Sequence, residues 1–403
     1  MTMNEWMNLT DDEKLVYITM KIVNTDVEPV KINHKRTLHV THNDLDGVGC
    51  FAVGLMLNIY NGEIDYRFVS VNDVDSTILT NLIEFNDDGD AEFPSQVIIS
   101  DVSIKNETVA DMLDQFNDAV GDVLLIDHHP TAQWLNKYNW AQVITSGDSA
   151  TYLLADYYWT NGLSLYSNTA EARPTNIFEY ARIVSRYDTW EWKNNPIDYT
   201  EQHHSIVLDA LGEEGYIRFV VDELFKRDTF KIRKYDKNPI ISAILDKYYT
   251  NLDKSVEHAK SYMSKFTFDK FRAAIIRDDG RSNISNVSNR LIDDFKETSE
   301  PIEILFILFG DNRLSLRKGD CDINLGKLAQ ELASDPRYGG GHDAAAGCTL
   351  DYEAYIGLLR IYFEHHSTFD VRYNLIDRVA NKNLADMISS FNFNDKLALF
   401  KVN

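Results

Sequence analysis

Residues 37–47, TLHVTHNDLDG, decide how this 403-residue chain reads. Thr37–Thr41 is a short β-type run that passes directly into His42, Asn43, Asp44 and Asp46. Gly47 and a segment of helical length, Val48–Tyr60, come next. Four more β-type runs follow at Ile64–Val71, Gln96–Ser100, Asp122–Ile126 and Trp140–Thr145. Segments of helical length, such as Glu107–Ala119, separate the early ones. That alternation predicts βαβ units and a parallel sheet. Ser149–Thr160 and Asn176–Arg186 read as further helices covering it, and Asp11–Val23 as a helix ahead of the first strand.

Ligands of an open α/β sheet bind outside the carboxyl ends of its strands. Here the first strand runs into His42–Gly47, the third into Asp101, and the fourth into Asp127, His128 and His129. Taken singly, each residue has a plain reading. An Asp after a strand is a turn or N-cap residue, and a His pair in a loop is structural. Repetition at three strand ends is what points to a site. Carboxylates clustered as Asp44, Asp46 and Asp101 could not all ionise without a cation. A mixed carboxylate and imidazole set suits Mn²⁺ and related first-row ions, with Mg²⁺ and Zn²⁺ as competitors.

These residues, in this order, resemble the DHH phosphoesterase superfamily, whose members include RecJ-type exonucleases, oligoribonucleases and phosphatases of adenosine 3′,5′-bisphosphate. Arg186-Tyr187-Asp188-Thr189-Trp190 fits the family's fourth motif, and Gly339-Gly340-Gly341-His342 with Ala344–Gly347 fits the glycine-rich motif of its associated substrate domain. Many relatives carry His four residues before the first motif Asp, where this chain has Val40. A RecJ-like acidic position two before that Asp is taken here by His42.

The resemblance implies two metal ions, Mn²⁺ with Mg²⁺ as the alternative. One would be held by His42, Asp44 and Asp101, the other by Asp46, His128 and Asp188, with Asp101 bridging. It assigns His129 to the scissile phosphate and Asp127 to orienting the histidines. Arg317, Gly339, Gly340, Gly341 and His342 would bind substrate. Plainer readings stand beside these: a turn for the glycines, a surface ion pair for Arg317, and capping for Asn286 and Asn289, which could also touch a base.

The expected fold class is α/β, a parallel-sheet DHH domain plus a second, smaller α/β domain joined by a helical connector. The expected divisions are a helical extension (1–32), the catalytic domain (33–198), the connector (199–266), the substrate domain (267–366) and a helical tail (367–403). Strand signals of the second domain are Phe271–Arg277, Ile302–Phe309 and Leu314–Arg317. Its helices are expected near Val287–Glu297 and Leu325–Ala333, and the tail's at Glu353–His365 and Leu384–Phe391. Two lobes across a connector predict a cleft that opens and closes.

Composition sets limits on function. With 40 Lys+Arg against 63 Asp+Glu, a net charge of −23 opposes a broad grip on duplex DNA. No apolar run approaches the roughly 20 residues of a membrane span. The N-terminus has early acids and no secretory pattern, and three scattered cysteines make no disulfide framework. A cytoplasmic protein is the expectation. No barrel pattern follows residue 350, which favours short single-stranded oligonucleotides or nucleotides over long strands. Cyclic or linear dinucleotides and 3′,5′-bisphosphonucleosides are alternative substrates. A nucleotide-binding sponge or replication partner is the non-enzyme alternative. The C-terminal helices would either form a homodimer or cover the second domain.

Overall fold

A computed structural model describes residues 3–23, 31–60, 62–86, 90–161, 173–194, 199–227, 229–232, 238–278, 280, 283–364 and 400–401. They form two compact units, 1–245 and 246–403. Among the described residues no helix is long and apolar enough to cross a membrane.

The first unit opens with α1 (Met3–Met7) and α2 (Asp11–Val23). A reciprocal cap starts α2: the Thr10 amide donates to Glu13 Oε2 at 2.8 Å and the Glu13 amide to Thr10 Oγ1 at 3.3 Å. The chain then alternates through β1 (Lys31–His42), α3 (Leu45–Leu57), β2 (Glu63–Val69), α4 (Val74–Asn81), β3 (Glu84–Phe85), β4 (Ala91–Ser100), α5 (Glu107–Ala119), β5 (Asp122–Asp127) and β6 (Ala141–Val143). The strands order as β2-β1-β4-β5-β6, all parallel, with β3 antiparallel on the start of β4.

Side chains alternate across the strands. Leu38, Val40, Val97, Ile99, Val123 and Leu125 pack with Leu15, Ile18 and Ile22 of α2, Val74 and Ile78 of α4, and Leu113 and Phe116 of α5. Helices α3, α6 (Ala150–Thr160), α7 (Arg173–Asp188) and α9 (Thr200–Arg218) pack against one another, and α3 and α6 contact the sheet. The short α8 (Glu191–Asn194) lies between α7 and α9 in the chain. Register brings the strand ends level: Thr41 pairs with Ser100, and Ser100 with Ile126. The residues just beyond therefore emerge along one rim.

Of the stretch read as a connector, 199–266, α9 packs on α3 and α7 inside the first unit. The boundary between units falls within α10 (Pro239–Tyr262). The second unit continues through β7 (Ser264–Phe268), β8 (Phe271–Arg277), α11 (Ile284–Lys296), β9 (Ile304–Leu308), β10 (Arg313–Lys318), α12 (Leu325–Leu332), β11 (Gly339–Gly341), β12 (Ala345–Thr349), α13 (Tyr352–Glu364) and β13 (Phe400–Lys401). Strand order is β11-β12-β10-β9-β8-β7-β13. Among the described residues, β8–β9 is the one parallel pair of this sheet. Ile304, Phe306 and Leu308 join a core with α12 and α13 residues, while Leu305 and Ile307 join one with α10 and α11 residues. Burial on both faces explains the unbroken apolar run ILFIL.

Several strands depart from the sequence reading. The strand signal was expected to resume at Phe271, yet β7 precedes it. Asp269 (φ 52°) and Lys270 link β7 to β8, and Asp tolerates that left-handed backbone. The glycines Gly339–Gly341, read as a loop or turn, form β11 against β12. Small residues have weak β propensity, so only pairings invisible locally, β11 with β12 and β12 with β10, make strands of them. The expected tail helix at Leu384–Phe391 lies outside the described residues. Phe400–Lys401, in the stretch expected to be helical, pair with β7 instead.

Candidate metal centre

Asp44 meets both readings of it. It is the N-cap of α3, its Oδ1 accepting from the Asp46 and Gly47 amides at 3.1 Å each. Its Oδ2 lies 3.0 Å from His42 Nδ1. The turn needs Gly47, where a Cβ would sit 2.2 Å from the His42 carbonyl oxygen.

Asp46 is turned the other way and buried. Its oxygens accept the Ala150 and Thr151 amides at 2.8 and 2.9 Å, so the positive end of α6 steadies its charge. Thr151 Oγ1 donates to the Asp46 carbonyl at 2.6 Å, tying α6 to α3.

Asp101 stands just past β4 with φ 56°, a left-handed backbone unusual for a residue with a Cβ. Its carboxyl sits between two groups. Oδ2 is 3.8 Å from His42 Nδ1, and Oδ1 is 3.3 Å from His128 Nε2. His128 Nε2 is also 3.7 Å from Asp46 and 3.6 Å from Asp188, at the end of α7. Donor atoms of His42, Asp44 and Asp101 gather within 4.8 Å of one another, and so do those of Asp46, His128 and Asp188.

Burial, with Asp46 and Asp44 close by, pushes the Asp101 carboxyl well above the usual carboxylate range, and Asp188 likewise. Burial lowers His128, favouring the neutral imidazole that can ligate. Among the described residues, Asp101 Oδ2 and Asp188 Oδ2 are buried with no hydrogen-bond donor. Acceptors left so, beside a neutral imidazole, fit a divalent cation. Oxygen and nitrogen donors without thiolate suit Mn²⁺, Mg²⁺ or Zn²⁺.

Asp127 is different. Oδ1 accepts the His128 amide and His129 Nδ1 at 2.7 Å each, and the His129 amide at 3.3 Å, while Oδ2 accepts Ser103 Oγ. Burial opposes its ionisation, but the charge and hydrogen bond of His129, with Ser103, hold its carboxyl down at about 2. Against the pull of burial, Asp127 raises His129 to about 9.

The second unit carries the remaining expected residues. Arg317 donates through one guanidinium nitrogen to Ser315 Oγ at 2.6 Å and through the other to Ser285 Oγ at 2.7 Å, at the start of α11. Gly339 and Gly341 are hemmed in by backbone, whereas Gly340 faces open space. The His342 amide donates to the Ala345 carbonyl at 2.8 Å. Asn283, rather than Asn286 or Asn289, caps α11.

Sequence reading missed Ser103 and the α6 amides. Ser103 lies only two residues past Asp101, but its partner is 24 residues away. The amides serve a carboxylate more than a hundred residues earlier. No local pattern encodes either pairing.

A parallel sheet that gathers such acids and imidazoles at its strand ends suits metal-assisted hydrolysis of phosphoric esters. No protein-family model matches the chain. It is 27% identical over 321 residues to oligoribonuclease NrnB of Bacillus subtilis strain 168, across 78% of this chain and 73% of that protein. With the motif residues assembled at their strand ends, this likeness supports placing the chain among the DHH phosphoesterases. Among solved structures, RecJ with Mn²⁺ from Thermus thermophilus is 12% identical, covering 88% of this chain and 54% of that one, with a TM-score of 0.46. The pGpG-specific phosphodiesterase PggH of Vibrio cholerae is 13% identical, covering 89% and 100%, with a TM-score of 0.43.

Proposed function

We propose that the chain is a Mn²⁺-dependent exonuclease that hydrolyses short single-stranded oligonucleotides to nucleoside monophosphates. The observation that carries this reading is Asp101, whose two oxygens face separate acid and imidazole groups. In it, His42, Asp44 and Asp101 would hold one cation, and Asp46, His128 and Asp188, with Asp101, the other; Mg²⁺ is the alternative ion. When bound, such ions supply Lewis acidity to the phosphoryl group and to the attacking water.

The chain's own groups then do the following. The α6 amides fix Asp46 so that one rotamer faces His128. Asp127 keeps a proton on His129 Nδ1, which aims Nε2 at a non-bridging phosphate oxygen and lets it donate as charge develops. Arg317, held by two serines, offers its fork to a second phosphate. Gly340, with no Cβ, lets backbone approach that phosphate, and His342 donates beside it. Domain division as read from the sequence (33–198 catalytic, 267–366 substrate-binding) belongs to the same proposal.

The likeness to an oligoribonuclease supports short RNA as substrate. A cyclic or linear dinucleotide is the second reading. The test is turnover of labelled oligoribonucleotides of graded length, beside cyclic dinucleotides and bisphosphonucleosides, with and without Mn²⁺. Release of monophosphates from the shortest RNAs of the series, lost in Asp101→Ala, is the expected result. Turnover that survives in that variant would overturn the metal assignment.

A further inference from the structure

We infer that Ser103 is a positioning residue that acts on the scissile phosphate through Asp127 and His129. Three groups form one line of hydrogen bonds: Ser103 Oγ donates to Asp127 Oδ2, and His129 Nδ1 donates to Asp127 Oδ1 at 2.7 Å. Asp127 has no solvent exposure, so water cannot replace either bond.

All three N–H donors to Asp127 converge on Oδ1: the His128 amide, the His129 amide and His129 Nδ1. They hold one oxygen but leave the carboxylate plane free to swing about it. Ser103 supplies the hold on Oδ2 and so sets that plane. An imidazole bonded in the plane of a carboxylate has its far nitrogen aimed by it, and His129 is partly exposed.

Ser103 also keeps Asp127 occupied. A donor oxygen of Asp127 lies within 4.8 Å of donor atoms of Asp101, His128 and His129, close enough to compete for a cation. With Oδ2 already accepting a hydroxyl, the carboxylate stays with the histidine. The local sequence Asp101-Val102-Ser103 thus carries two tasks at the end of one strand: the acid faces the cation site, and the hydroxyl two residues on steadies the neighbouring strand's acid.

The kinetic part of this inference rests on the proposed function; the spectroscopic part does not. The test uses the full chain as Ser103→Ala and Ser103→Thr. In the metal-free protein, the His129 Nδ1 proton should give a downfield resonance, assigned by its loss in His129→Gln. Ser103→Ala should shift or broaden that resonance and lower kcat on a short oligoribonucleotide about 10- to 100-fold, with KM nearly unchanged. Ser103→Thr, which keeps the hydroxyl, should restore both. Should the alanine variant not fold, Ser103→Cys, with its weaker donor, takes its place.

An unchanged resonance in Ser103→Ala overturns the inference whatever the substrate proves to be. So does a threonine variant as impaired as the alanine one, which would trace the need to side-chain shape. If the wild-type chain fails to cleave oligonucleotides while the resonance responds as expected, the proposed substrate falls and the Ser103 assignment stands.

Discussion

At the end of β4 stands Asp101 and at the end of its neighbour β5 stands Asp127, two acids 2% and 0% exposed. Asp127 has donors for both oxygens and is held ionised, at about 2. Asp101 has an oxygen with no donor and a carboxyl pushed well upward by burial and by neighbouring acids. Equal burial therefore says nothing about role. What separates the two is where the compensating charge comes from. For Asp127 the fold supplies it; for Asp101 the proposed function draws it from a bound cation, and on that reading a ligand site differs from its scaffold in this way.

The largest expected effect breaks that contrast from the Asp101 side. Asp101→Asn should lower kcat/KM on a short oligoribonucleotide by roughly 10²- to 10³-fold or more. The same change removes a buried acid crowded by Asp46 and Asp44, so the metal-free variant should unfold at a higher urea midpoint than wild type. Mn²⁺ should raise the melting temperature of the wild-type chain and have little effect on the variant. A loss of stability in metal-free Asp101→Asn would mean that the fold, and not a cation, compensates this acid.

The histidines repeat the contrast and set a pH dependence. His129 is charged by Asp127, whereas His39 and His204 are buried and held neutral. His39 sits between the Tyr60 and Ser100 hydroxyls at 2.8 Å each, and burial pushes it down to about 3. His204 takes Tyr216 on Nδ1 at 2.8 Å and donates from Nε2 to the Phe230 carbonyl at 2.7 Å; burial pushes it down to about 4. Unfolding frees both to bind a proton below about pH 6.5. Their contribution is therefore whole above that pH and lost as pH falls toward about 4, by up to about 1.4 kcal/mol per pH unit for each. Urea midpoints between roughly pH 7 and 4.5, compared with those of His204→Asn, should show the variant with the shallower slope. Equal slopes would mean that His204 is not held neutral.

Much of this site was legible because its residues follow strands. Asp44, Asp46, Asp101, Asp127, His128 and His129 are set by strand ends that alternation locates, and parallel register then brings them level. The helix Asp11–Val23 was legible for a similar reason, since its cap and its periodicity are local. Roles were harder to see. Asp101 and Asp127 both read as acids after a β-type run, and only Ser103 and the α6 amides tell which of them have donors. Strands β11 and β12 were hidden because their residues are too small to signal one, and β7 because it follows a long helix directly.

A middle-sized effect tests the Asp127 side. Asp127→Asn keeps the shape and removes the charge that three N–H groups and Ser103 share. It should cost about 2–3 kcal/mol of stability, read from urea unfolding, and impair turnover as well. Asp101→Asn and Asp127→Asn would thus move stability in opposite directions with the same change of atom. A stable Asp127→Asn would show that its hydrogen bonds, and not its charge, hold the histidines.

The smallest effects come from the second unit, where two adjacent glycines repeat the distinction between scaffold and site. Gly341 has φ 134° and a Cβ there would lie 2.6 Å from the Ala345 carbonyl oxygen, so Gly341→Ala should destabilise by about 1–2 kcal/mol. A Cβ on Gly340 would meet nothing within 4 Å. Gly340→Ala should change stability by less than about 0.5 kcal/mol. That makes it the cleaner probe of function: a methyl that the fold tolerates would still stand between backbone and an approaching phosphate. A raised KM in Gly340→Ala, with an unaltered urea midpoint, would assign this strand to substrate. An unchanged KM would leave its glycines to the packing of β11 against α12, where a Cβ on Gly339 would meet the Ala329 carbonyl oxygen at 2.3 Å.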